Sequence, residues 1–185
     1  MAHSVEIPYL DKKNIEIYLN DLAEEIEKAK IGKHSILIVG GAAMALKYED
    51  VRSTVDIDIC FREQNKLYSC CKVIAKNYNL PDDWINADVM HSDSFSYKLF
   101  DNAILYKSIG EYLDIYVVDD KDLYCMKIVG LRPKDVEDMN CIARRLKDAG
   151  VKPNDIENNF ERLYGNKYYL LNDDMKLMYV NLQLG

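Results

Sequence analysis

The stretch Val55-Asp56-Ile57-Asp58-Ile59-Cys60-Phe61 alternates apolar and acidic residues with a period of two, which in an extended strand puts both carboxylates on one face. Two aspartates so placed reach one divalent cation. Acid pairs of this kind also occur on solvated strand faces, where they need no ligand. Here the flanking Val55, Ile57, Ile59 and Phe61 predict a central, buried strand, in which like charges repel unless a cation compensates them. Asp114 repeats the arrangement in Tyr112-Leu113-Asp114-Ile115-Tyr116-Val117-Val118, a single acid on the polar side of an apolar run. Three carboxylates on neighbouring strands can hold two magnesium ions for in-line phosphoryl chemistry. Gly40-Gly41 supplies a complementary feature, because free N–H groups at a helix start attract an anion and the missing Cβ atoms let a phosphate approach. Such a pair also serves in plain strand-to-helix turns.

These groups need elements to position them. Ser35-Ile36-Leu37-Ile38-Val39 is an apolar, β-branched run too short for a helix, so it predicts a buried strand ending at the glycines, with a helix over 42–48. Residues 103–107 and 112–118, separated by Ile109-Gly110-Glu111, predict a hairpin. Upstream, Ile15, Ile17, Leu19, Leu22, Ala23, Ile26 and Ala29 form the apolar side of an amphipathic helix over 13–30. Residues 66–77 and 82–90 read as helical or irregular. From Asp122 the pattern turns helical: 122–130, then 134–148 with Val136, Met139, Ala143 and Leu146 inward, then 153–163, then the tail 172–185. The predicted class is α/β (α+β), a short mixed sheet with flanking helices and a helical C-terminal part. One domain over 1–185 is expected, its motif-bearing core at 34–146 and a helical extension at 147–185.

Composition narrows the function. With 49% hydrophobic and 30% charged residues in 185, the chain is neither disordered nor low-complexity. A net charge of −7 argues against a general nucleic-acid coat. Residues 127–152 nevertheless hold seven basic against four acidic side chains, which permits a local RNA contact. None of the five cysteines has zinc-knuckle or redox-pair spacing, so buried, reduced thiols are expected. No apolar run suits a signal peptide or a bilayer span, and a cytoplasmic protein without membrane contact is the expectation. His34 and His91 have no partner at ligand spacing.

The ordered set Val39-Gly40-Gly41, Asp56-Ile57-Asp58-Ile59 and Leu113-Asp114-Ile115-Tyr116 resembles the DNA polymerase β-type nucleotidyltransferase superfamily. Arg52-Ser53-Thr54 ahead of the aspartates, with Lys127, Arg132, Lys134, Asp135 and Asp138 downstream, is similar to the bacterial AbiEii/AbiGii-type abortive-infection and toxin nucleotidyltransferases and their uncharacterised relatives. The resemblance covers about residues 34–146. It implies transfer of a nucleoside monophosphate from an NTP to an acceptor hydroxyl with loss of pyrophosphate. Asp56, Asp58 and Asp114 would be the catalytic, metal-holding residues for two Mg2+ ions, with Mn2+ as the alternative. Gly40, Gly41, Arg52, Thr54, Lys127 and Asp135 would meet the nucleotide. The implied acceptor is an RNA or tRNA end or a protein side chain, and a cognate antitoxin is the implied partner. Two rival readings are a small-molecule, antibiotic-type nucleotidyltransferase and a catalytically silent nucleotide-binding module.

Overall fold

The computed structural model describes residues 9–48, 53–62, 66–165 and 182. The chain forms two compact units, one from Met1–Val89 with Ile104–Val117, the other from Met90–Ala103 with Val118–Gly185.

In the first unit, helix α1 (Lys12–Ala29) begins where the Asp11 carboxylate accepts the Asn14 N–H at 2.8 Å and ends at Lys30 in the left-handed region. Its buried side is Ile15, Tyr18, Leu19, Leu22, Ala23 and Ile26, while Ile17 faces outward, contrary to the apolar reading. Strands β1 (His34–Ile38), β2 (Ile57–Cys60), β3 (Ile85–Asn86), β4 (Ile104–Ile109) and β5 (Leu113–Val117) form one mixed sheet in the order β3-β2-β1-β5-β4. β1 lies at its centre, antiparallel to β2 and parallel to β5. Its Ile36, Leu37 and Ile38 are buried on both faces, as a continuous apolar run demands. β4 and β5 are the expected hairpin. Helices α2 (Gly40–Lys47) and α3 (Tyr68–Tyr78) complete the unit, α1 packing on both.

Tyrosine hydroxyls fasten α1 to its surroundings: Tyr78 donates to Asp21, Tyr106 to Glu16 and Tyr112 to Glu27. Trp84 stands edge-on to Tyr18 and donates its indole N–H to the Cys71 carbonyl at 3.0 Å. The expected strand 55–61 is shorter. Val55 is exposed and the ladder starts at Ile57, whose N–H donates to the Trp84 carbonyl at 2.8 Å. Residues 82–90 resolve into β3 and the start of a 3-10 turn at Asp88–His91.

The second unit contains α4 (Asp120–Gly130), α5 (Pro133–Asp148) and α6 (Pro153–Tyr164). α5 and α6 start alike, with a basic residue, a proline and an aspartate three residues on. Asp135 accepts the Arg132 N–H at 3.0 Å and Asp155 the Lys152 N–H at 2.8 Å. The inward stripe of α5 is Asp135, Asp138, Met139, Ile142 and Leu146. Val136, expected inward, is exposed, because two carboxylates take the buried side around a buried lysine of α4. On α6, Arg162 donates to Asp122, Asn159 and the Lys98 carbonyl, tying α6 to α4 and to the segment 94–98. Burial holds the Asp122 carboxyl above its usual range despite Arg162 and Asn159. Cys60, Cys70, Cys71 and Cys125 are buried free thiols and Cys141 is partly exposed. Burial pushes Cys60 and Cys71 up to about 12, which leaves them unreactive. No helix among the described residues is long and apolar enough to cross a membrane. The expected tail helix lies outside the described residues apart from Leu182.

Candidate functional site

The register of β1 and β2 pairs Ile38 with Ile59, and the next rung is the Val39 N–H donating to the Asp58 carbonyl at 3.0 Å. Asp58 therefore sits beside the end of β1, where the chain turns into α2. Gly40 makes that turn with φ +63°, and a Cβ added there would lie 2.8 Å from Asp58 Oδ2. A Cβ on Gly41 would lie 2.7 Å from Thr54 Oγ1. The space left by each missing side chain is thus filled by a polar group of the site. Thr54 is fixed by a two-way backbone bridge to Leu10, at 2.6 and 2.9 Å. α2 starts without a side-chain cap, and a helix start leaves its first N–H groups outside the helical ladder. Asp56, two residues before Asp58 and half-buried like it, receives Asn86 Nδ2 on its Oδ2 at 3.4 Å. Gly40, Gly41, Thr54, Asp56 and Asp58, five of the sequence-derived candidates, therefore come together at one end of the sheet.

Asp114 is on the same face but at the other end. Its partner on β1 is Ser35, whereas Asp58 stands opposite Val39, so four residues of strand, about 13 Å, separate the two positions. There Lys33 Nζ lies 2.7 Å from Asp114 and Ser108 Oγ donates at 2.8 Å. The Lys33 hydrogen bond, supported by Ser108 and working against burial, holds the Asp114 carboxyl below its ordinary value. The parallel pairing of β1 with β5 is the reason: it fixes the face of Asp114 and also carries it away from the glycine turn.

Lys127 and Asp135 belong to the second unit. The Lys127 ammonium is almost wholly buried, 2.8 Å from Asp135 and 2.7 Å from Asp138. Burial opposes the Asp135 charge, but hydrogen bonds from Arg132 and Lys127 outweigh it and hold its carboxyl down at about 2. In this arrangement the amine neutralises carboxylates of its own chain, and Asp135 also caps α5. Arg52 lies outside the described residues.

Among the described residues no group of three or more His, Cys, Asp or Glu side chains is arranged to hold a metal ion. The donor set at the glycine turn is two carboxylates, which suits Mg2+, an ion that keeps several waters and takes one or two carboxylates together with substrate phosphates. Asn86 is the site residue that sequence patterns do not reveal. It occupies a two-residue strand, too short to show any period, and pairs in register with Asp58.

A family model described as "Nucleotidyltransferase of unknown function (DUF6036)" matches residues 18–145. A search of curated proteins and a search of solved structures each found no match.

Proposed function

We propose, from the premise that this chain belongs to the family of nucleotidyltransferases of unknown function, that it moves a nucleoside monophosphate from an NTP to an acceptor hydroxyl, releasing pyrophosphate. The observation that carries this reading is the close approach of Asp58 to Gly40 and of Thr54 to Gly41, with Asp56 alongside. Asp56 and Asp58 would hold Mg2+, which offsets charge on the phosphates and polarises the phosphorus centre. The α2 start orients a phosphate by its N–H groups and its dipole. The Thr54 hydroxyl stands beside the same turn as a further donor. Lys127, Asp135 and Asp138 act as the buried electrostatic centre of the second unit, and Asp114 as an ion-pair partner of Lys33.

For the acceptor we favour RNA. Between 127 and 152 the exposed side chains are six basic (Arg132, Lys134, Arg144, Arg145, Lys147 and Lys152) and two acidic (Glu137 and Asp148), because burial removes Lys127, Asp135 and Asp138 from the count. The ordered Lys127, Asp135 and Asp138 support kinship with the AbiEii/AbiGii-type toxins, and through it an antitoxin partner. Retention of both carboxylates favours an enzyme over a silent module.

The test incubates the protein with each α-labelled NTP, total tRNA and Mg2+ or Mn2+. Labelled RNA that requires the ion, falls steeply with salt and disappears in Asp58→Asn is the expected result. Labelling that persists without a divalent ion or in Asp58→Asn overturns the site. NTP binding with no transfer to any acceptor favours the silent module.

A further inference from the structure

We infer that Asn86 is the positioning residue that orients Asp56 toward a divalent cation, its carboxamide being clamped by the backbone on one side and set against Asp56 on the other. The inference rests on the reading of Asp56 and Asp58 as the cation-holding pair. Asn86 Oδ1 accepts the Asp88 N–H at 3.0 Å, closing a turn just after β3. With that oxygen engaged, the NH2 group must point the opposite way, and it lies 3.4 Å from both the Asp83 carbonyl and Asp56 Oδ2. The backbone N–H of Asp88 thus decides which end of the carboxamide faces the acid, and the end chosen is the donor.

A donor on Oδ2 does two things for Asp56. It offsets charge on Asp56 close to a second carboxylate, and it engages Oδ2 so that Oδ1 would be the oxygen left to a cation. Asp56 precedes the ladder of β2, which starts at Ile57, and among the described residues it has no place in a strand ladder. Asn86 is well placed for this task, being in register with Asp58 on the neighbouring strand and so on the same face as Asp58, with its carboxamide within reach of Asp56. An Asp at 86 would keep the turn but add a third negative charge. An apolar residue would abolish both the turn and the donor.

The experiment measures Mn2+ binding directly, from the electron paramagnetic resonance signal of the free ion, on the full chain without substrate. Asn86→Ser keeps a hydroxyl able to accept the Asp88 N–H but lacks the NH2 donor, and thermal melting checks that it folds. We expect at least about tenfold weaker Mn2+ binding, the usual effect of removing a group that orients a ligand. In an Asp56→Asn background, Asn86→Ser should cause no further loss, because the two act through one contact. Asp58→Asn serves as the control for the underlying reading. If Asp58→Asn binds Mn2+ like the native protein, the cation site itself is wrong and the inference falls with it. If Asp58→Asn loses binding while Asn86→Ser keeps native affinity, or if the Asn86 and Asp56 effects simply add, the cation site stands and the role of Asn86 is refuted.

Discussion

Replacing Gly41 by Ala tests the site as a packed object. Gly41 lies inside the first turn of α2 and has no positive φ, so the backbone tolerates a side chain and Ala would gain up to about 1 kcal/mol of helix propensity. Against this, the new methyl group would sit 2.7 Å from Thr54 Oγ1 and 3.2 Å from its Cβ, where ordinary contact begins at 3.4 Å. Thr54 must therefore give by about 0.7 Å, and its two-way bridge to Leu10 opposes the move. Overpacking of this kind costs about 1–3 kcal/mol. The expected net loss is up to about 2 kcal/mol for Gly41→Ala, read as a lower urea midpoint at unchanged slope. In a Thr54→Ala background the hydroxyl contact is gone and the same substitution should be neutral to stabilising by up to about 1 kcal/mol, a coupling of at least about 1 kcal/mol that reports the overpacking itself. Additivity of the two substitutions to within about 0.5 kcal/mol would refute the claim that Thr54 fills the space above Gly41.

Gly40→Ala should behave differently, because the obstructed atom is the end of the Asp58 side chain and can swing aside. We expect about 1–2 kcal/mol of lost stability from the positive φ, and loss of the melting-temperature rise that Mn2+ should give the native protein if the cation site stands. Lys127→Met strands Asp135 and Asp138 without their ammonium and should cost about 3–5 kcal/mol in urea unfolding at neutral pH. Asp135 has a folded value of about 2, below the unfolded 3.8, so its stabilisation is complete above about pH 4 and is lost as pH falls toward 2. The urea midpoint of Asp135→Asn should therefore vary less over that window than that of the native protein.

The strand, glycine turn and helix at 34–47 were legible because each announces itself locally, by an apolar run, by two glycines and by a shift to helix formers. The two-residue period at 55–61 marked β2 and the outward place of Asp58 between buried Ile57 and Ile59, but not that the strand starts at Ile57 and leaves Asp56 in the bend before it. What the period cannot give is position along a sheet. Asp114 has the right face, and only the parallel register of β1 with β5 reveals that it stands at the Ser35 end. The resemblance assigned Lys127 to the nucleotide, and no sequence pattern pointed to the two carboxylates it meets instead. The acids Asp135 and Asp138 take the inward stripe of α5 and displace Val136 outward, a choice set by the buried charge on another helix. Asn86 was invisible for a third reason, since its relation to Asp56 depends on a strand of two residues and on a turn closed by its own side chain.

The central place of β1 also shapes how the chain reaches its fold. β1 meets β2 across a separation of 23 residues, Leu37 with Cys60, but meets β5 across 79, His34 with Leu113. The antiparallel half, which contains the glycine turn and both acids, closes a short loop and can form early. The parallel half must wait for a much longer one. During that interval the second edge of Ser35-Ile36-Leu37-Ile38-Val39 offers unpaired N–H and C=O groups along an apolar, uncharged run, the kind of edge onto which other chains add. During synthesis this edge stays open until residues 113–117 emerge, so the segment that leads into the glycine turn is also the one most in need of shelter before β5 arrives.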